Sequence, residues 1–238
     1  MSSQDSAVIL PYMATARTYN EACGIPRALD RIGERWALMV VRELVLGPKR
    51  FTDIKQSLPH ASPNVLTQRL KELEQSGVVR KRKLPPPASV QVYELTEWGA
   101  ELDRVLLELG RWGARAPMNA GEPTMSFDAH LLSLLTLFDR RRAGDFHARL
   151  ELRLGDEVFR AEVGDGQLDI RRGTSLEPDA VVKTDAGTLL AISHGRRELA
   201  DALAAGEIEI QGDEQAVARF VTLFTMPAPA SVPEPLAA

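Results

Sequence analysis

From Ser62 the sequence runs SPNVLTQRLKELEQSGVVRKRKLPPP, and this stretch constrains the chain more than any other. A serine side chain can accept a hydrogen bond from the backbone of a first helical turn. A proline, with φ preset and no N–H to lose, suits the position that follows. Val65, Leu66, Leu70 and Leu73 then fall on one side of a helix, and Gly77 supplies the conformation at which helices stop. Residues 78–84 and 90–95 are β-forming runs on either side of Pro85, Pro86 and Pro87, which predicts a hairpin with a rigid tip. Its first strand carries Arg80, Lys81, Arg82 and Lys83. Few folds accommodate a sharply delimited amphipathic helix that leads straight into a basic hairpin.

The flanking segments narrow the choice. Residues 12–32 read as helical but broken by Gly24 and Pro26, with Pro26 suited to open a helix. Trp36, Leu38, Val40, Val41, Leu44 and Val45 recur at helical spacing until Gly47 and Pro48 end the run. Phe51, Ile54 and Leu58 mark one face of a shorter helix that stops at 59–61. Two helices and a turn followed by a hairpin predict a winged helix-turn-helix domain. After the hairpin, Leu102, Val105, Leu106, Leu109 and Trp112 repeat at i, i+3, i+4, i+7 and i+10, an apolar stripe that needs a partner. Residues 117–125 are polar and rich in breakers, so the expected organisation is a first domain of 1–116, a linker of 117–125, a second domain of 126–225 and a disordered proline-rich tail of 226–238. In the second domain Leu131, Leu134, Leu135 and Phe138 predict a helix. Residues 146–154 alternate as a half-buried strand, and two more strands, through Phe159 to Val163 and Leu168 to Ile170, complete an antiparallel meander. Residues 181–184 predict an edge strand and 208–210 a short one, while Asp185, Leu199 and Asp213 stand at the starts of helices. The fold class is α+β, an N-terminal winged helix-turn-helix followed by an α/β domain with a mostly antiparallel sheet.

Charge divides along the same line. The 238 residues carry a net −4, but residues 1–117 hold 17 Lys/Arg against 13 Asp/Glu, and the remainder 12 against 20. Between Arg35 and Lys83 there are 11 basic residues and 4 acidic ones, a balance that suits a phosphate-facing surface. On the face of the Ser62 helix opposite the leucines stand Asn64, Thr67, Gln68, Lys71 and Gln75, side chains able to bond base edges or phosphates, with Asn64 and Gln68 fit to read adenine. Arg69 lies nearer the apolar edge and is expected to reach a phosphate or an acidic neighbour. The expected DNA contacts are Lys49, Arg50, Thr52, Ser62, Asn64, Thr67, Gln68, Arg69, Lys71, Arg80, Arg82 and Lys83, and the expected partner is double-stranded DNA.

Cys23, Leu29 to Gly33, Arg35-Trp36, Arg42 to Leu44, Gly47, Arg50-Phe51, Ser62-Pro63, Leu66 to Glu74, Gly77, Tyr93 to Thr96 and Gly99 together resemble the HxlR-type regulators over residues 20–115. The resemblance implies a homodimer formed through the N-terminal helix and the helix after the wing, which would bury Leu102, Val105, Leu106, Leu109 and Trp112. It implies two recognition helices on a near-palindromic operator, with repression as the commoner outcome. Cys23 aligns with a cysteine that some relatives use to sense oxidants, so it reads either as a redox switch or as an inert thiol.

Pro178 to Asp185, Leu189 to Ile192 and Gly206 to Asp213 resemble the sterol carrier protein type two family over residues 126–224. That resemblance implies a five-stranded sheet covered by helices around an apolar tunnel for a lipid-like ligand, with no catalytic residues. Leu131, Leu134, Leu135, Leu189, Leu203, Phe220, Leu223 and Phe224 are the tentative lining, although such residues equally fill a core. A hydrophobic effector would then control DNA binding. The alternative is a lipid carrier whose basic half serves for docking. No metal-ligand spacing, phosphate loop or catalytic triad is present, so no cofactor and no enzymatic activity are expected; Ser193-His194 before Gly195 reads as a helix stop. With one cysteine, no leader pattern and no apolar run of about 20 residues, the expectation is a cytoplasmic protein without membrane insertion.

Overall fold

The computed structural model describes residues 18–117 and 125–231. Their contacts form two units, one of residues 18–41 and 49–100, the other of residues 42–48, 101–117 and 125–231. Most of the expected linker, residues 12–17 of the expected first helix and the end of the tail lie outside the described residues.

The first unit opens with α1 (Gly24–Ile32) and the greater part of α2 (Ala37–Leu44). Helices α3 (Phe51–Ser57) and α4 (Pro63–Gln75) follow, separated by a turn at 58–62. The Ser62 hydroxyl accepts from the Val65 N–H at 3.3 Å, with Pro63 in the first turn. At the other end the Gly77 N–H donates to Glu74 O at 3.1 Å and the Val78 N–H to Leu73 O at 2.9 Å, with Gly77 at φ +74°. These are the two bonds of a Schellman stop, which satisfy carbonyls the helix leaves over. Leu66, Leu70 and Leu73 are buried, as the stripe requires. Strands β1 (Val79–Lys83) and β2 (Gln91–Leu95) pair antiparallel, with Arg80 opposite Glu94 and Arg82 opposite Val92. The short helix α5 (Glu97–Ala100) closes the unit. Before it, Thr96 donates its hydroxyl to Gly77 O at 2.7 Å and accepts from the Gly99 N–H at 2.9 Å.

The second unit contains α6 (Leu102–Gly113), α7 (Phe127–Leu137) and the one-turn α8 (Arg140–Ala143). Next come β3 (Ala148–Leu154), β4 (Glu157–Gly164), β5 (Gln167–Arg172) and β6 (Ala180–Thr184). Helices α9 (Ala186–Ser193) and α10 (Leu199–Ala204), strand β7 (Glu209–Gly212) and helix α11 (Glu214–Val221) complete it. The sheet order is β5-β4-β3-β6-β7, with β3 and β6 parallel and the other neighbours antiparallel. The sheet is therefore mixed, and β6, expected at an edge, lies between β3 and β7. Alternation within 181–184 cannot reveal this, because one apolar face looks the same whether or not a further strand is added outside it. Asp185 and Asp213 accept from first-turn N–H groups of α9 and α11, and Ser126 does the same for α7.

Leu131, Leu134, Leu150, Leu152, Phe159, Ile170, Leu189 and Phe220 fill the core of this unit. Charged groups enter it only in pairs. Glu43 is fully buried; it takes the Arg42 guanidinium at 2.6 Å and the Ser126 hydroxyl at 2.7 Å. The Arg172 guanidinium reaches buried Asp128 at 2.6 Å and sits 4.9 Å from the centre of the Phe159 ring. A buried carboxylate persists only with such partners, so each pair holds its elements at a defined distance.

Gly99 marks the tightest approach in the first unit, since an added Cβ would lie 2.0 Å from Val78 O. Gly99→Ala is expected to cost about 1–3 kcal/mol in chemical unfolding. Gly24→Ala, whose Cβ meets nothing within 4 Å, should change stability by less than about 0.5 kcal/mol. Equal unfolding midpoints for the two variants would remove the clash as the reason for Gly99.

Candidate nucleic-acid interface

The polar face of α4 is built by what the opposite face buries. With Leu66, Leu70 and Leu73 turned inward, Asn64, Thr67, Gln68, Lys71 and Gln75 emerge exposed on the other side. Their side chains differ in freedom. The Thr67 hydroxyl donates to Pro63 O at 2.9 Å, and Gln68 donates to Glu72 at 2.7 Å. Asn64 and Lys71 have no hydrogen bond or ion pair from their side chains among the described residues. Arg69 is mostly buried and pairs with Glu72, with Glu34 3.6 Å away, so its charge is paired within the fold, while its Nε is buried without a hydrogen-bond partner among the described residues. Ser62 is occupied in capping.

Other expected contacts flank this face. Arg50 and Thr52 are exposed at the start of α3, where Asp53 takes the Arg50 N–H at 3.1 Å and the Thr52 hydroxyl at 3.3 Å. Lys49 departs from expectation: it is 7% exposed, its ammonium reaches Ser57 at 3.3 Å, and its backbone bridges to Tyr93. It ties α3 to β2 and offers no cation to solvent. Sequence alone grouped it with Arg50 because adjacent basic residues look alike until the backbone sets which one points inward.

The hairpin presents its cations in an ordered way. Arg80 and Arg82 each donate through Nε, at 2.8 Å, to the two oxygens of Glu94. Burial pushes the Glu94 carboxyl upward, but Arg82 and Arg80 together outweigh that and hold it below the usual carboxylate value. One buried carboxylate thus braces two guanidinium groups whose side chains remain 63% and 44% exposed. Lys81 pairs with Glu74 at 3.0 Å and lies 5.6 Å from the centre of the Tyr93 ring, linking β1 to α4. Lys83 is exposed, with no ion pair among the described residues. Glu94 and Lys81 are organising residues that sequence reasoning missed. The register that places Glu94 opposite Arg80 would have exposed the first of them.

The apolar stripe of α6 divides. Leu106 is buried and Leu102 half-buried, whereas Val105, Leu109 and Trp112 are 50%, 45% and 73% exposed at i, i+4 and i+7. Cys23, a free and exposed thiol, immediately precedes α1. The tentative ligand lining resolves mainly into core. Leu131, Leu134, Leu189, Phe220 and Leu223 are at most 1% exposed among their neighbours, and Leu203 faces outward. Leu135 borders an open hollow of about 840 Å³, and Phe224 borders a second of about 490 Å³. Among the described residues no group of His, Cys, Asp and Glu could hold a metal ion, and no helix is long and apolar enough to cross a membrane.

Residues 31–120 match the family described as HxlR-like helix-turn-helix, and residues 118–230 match the one described as alkyl sulfatase C-terminal. The HTH-type transcriptional regulator YodB of Bacillus subtilis is 39% identical over 85 residues, which is 36% of this chain and 76% of YodB. The regulator YvaP of the same organism is 41% identical over 87 residues, 36% of this chain and 80% of YvaP. Among solved structures, the reduced form of YodB from B. subtilis is 34% identical, covering 43% of this chain and 100% of that one at a TM-score of 0.36. The ubiquinone synthesis protein UbiJ-SCP2 is 26% identical and covers 35% of this chain and 69% of that one at a TM-score of 0.30. Through its first half, the chain belongs to the HxlR-like helix-turn-helix family of transcriptional regulators.

Proposed function

We propose that the protein is a homodimeric repressor that binds a palindromic operator through α4 in the major groove and the β1–β2 wing on the adjoining backbone. What supports this reading is the exposed polar face of α4 beside two arginines braced by Glu94. Asn64, Thr67 and Gln68 read bases, while Arg50, Lys71, Arg80, Arg82 and Lys83 neutralise phosphates. Lys49 and Arg69 are left out because their charges are engaged inside the fold. The second copy covers Val105, Leu109 and Trp112, whose exposure on one helix face is otherwise costly in water. The C-terminal unit takes a hydrophobic effector that changes operator affinity; by linkage, operator DNA changes effector affinity by the same factor. A second reading, in which Cys23 senses oxidants, draws on its exposed thiol and on the relatedness to YodB, whose solved forms include a quinone-bound one.

Four outcomes are expected. On an operator selected from random DNA, Lys83→Ala should weaken binding to all sequences alike and lower the salt slope by about 1 per site contacted, whereas Asn64→Ala should cost about 1–3 kcal/mol at one base position in each half-site. Fluorescence anisotropy across a salt series checks both, and equal affinity for selected and scrambled duplexes would overturn sequence-specific reading. Trp112→Glu together with Leu109→Glu should give a monomer by light scattering, with operator affinity falling at least a hundredfold; a persistent dimer would place the interface elsewhere. Cys23→Ser should leave DNA binding intact, and unchanged oxidant sensitivity in that variant would end the redox reading.

A further inference from the structure

Gln68 is exposed on the polar face of α4, yet its side chain is not free to choose how it meets a base. Its Nε2 donates to Glu72 Oε1 at 2.7 Å, one turn further along the helix. The other oxygen of the same carboxylate, Oε2, accepts from Nη1 of Arg69, and Arg69 in turn has Glu34 at 3.6 Å. The side chains of Arg69 and Glu72 are only 16% and 12% exposed, so the carboxylate is held from behind while its remaining oxygen meets Gln68. A lone surface pair on a helix is weak because both partners lose rotamer freedom. Here Glu72 is already fixed by Arg69, and only Gln68 has freedom to lose.

The polarity of this contact matters to a base. An ionised carboxylate can only accept, so it selects the amino end of the Gln68 amide and turns away the carbonyl. That carbonyl oxygen has no hydrogen bond among the described residues. An untied glutamine can reverse its amide and offer either polarity; with both amino protons available it can donate to the two acceptors of guanine, N7 and O6. Gln68 keeps its carbonyl and at most one amino proton. In the major groove adenine N6 and cytosine N4 carry protons for that carbonyl, whereas guanine O6 and thymine O4 put another acceptor in the corresponding places.

We propose that Glu72 is a positioning residue that sets the base preference of Gln68, leaving its carbonyl for the groove, so that the base it meets is adenine or cytosine and not guanine or thymine. The inference rests on the reading of α4 as the helix that enters the major groove, and it adds to that reading a rule for one base position in each half-site. By sequence Gln68 and Asn64 are equivalent readers of adenine. The fold separates them, because the Asn64 amide has no such tie and can reverse, whereas Gln68 reverses only by giving up its bond to a carboxylate.

The test is fluorescence anisotropy of the full-length protein on an operator selected from random DNA and on every single base-pair variant of one half-site. Gln68→Ala identifies the position that Gln68 reads, as the one whose preference it abolishes. There the wild type should favour adenine or cytosine, and exchange for guanine or thymine should weaken binding about tenfold. In Glu72→Gln the arginine, which can only donate, claims the new amide oxygen and leaves an amino group facing Gln68. Gln68 then turns its carbonyl inward, and the ratio should fall below about threefold or invert, with other positions unchanged. A folding defect lowers affinity for every duplex alike and does not imitate a changed ratio. A wild-type preference for guanine or thymine, or a ratio unchanged in Glu72→Gln, overturns the role of Glu72 and leaves α4 as the reading helix. So does a silent Gln68→Ala when Asn64→Ala erases a preference. If neither substitution alters any preference, α4 does not read bases and the inference falls with that reading.

Discussion

Helix α4 and the β1–β2 hairpin are held together at one point, where Gly77, Thr96 and Gly99 meet. Gly77 ends α4 in a left-handed conformation that a side chain would resist, and its carbonyl accepts the Thr96 hydroxyl from the far side of the hairpin. Thr96 in turn receives the Gly99 N–H, and the backbone of α5 approaches Val78 too closely for any Cβ at Gly99. The exit from α4, the start of β1 and the end of β2 thus share a single set of hydrogen bonds. Rotation of the hairpin relative to α4 would break several of them at once.

Charge is placed on this frame with the same economy. The basic run of β1 could be four solvated side chains. The register instead sets Glu94 beneath Arg80 and Arg82 and sets Glu74 against Lys81, leaving Lys83 unengaged. Bracing lowers the conformational entropy that two arginines would lose on meeting a phosphate backbone, without consuming their outward donors. Arg69 shows the opposite use of a cation: it is folded against Glu72 and serves the structure.

The second unit uses its polar residues differently. Glu43 and Asp128 are buried only with guanidinium partners, and their pairs position Ser126 and Arg172 within the unit. The hydroxyls of Ser175 and Ser193 and the Nε of Arg172, by contrast, are buried in this unit without a hydrogen-bond partner among the described residues. The leucines and phenylalanines that looked like a tunnel lining are mostly core. A stripe of apolar residues signals burial and cannot say whether the buried side meets protein or ligand.

Ser62, Pro63, the leucine stripe and Gly77 determined α4 to within a residue, since capping, proline geometry and helical stop are local effects that act before any tertiary contact. The same holds for the helices opened by Asp185 and Asp213 and for the alternation of β3. Tertiary structure alone decided what depends on distant chain: the place of β6 inside a mixed sheet, the inward turn of Lys49 and the Glu94 brace. Each is a matter of which groups meet across the fold. A sequence read locally reports which residues can be buried or charged, whereas partners brought from ten to a hundred residues away decide whether a buried polar group is satisfied.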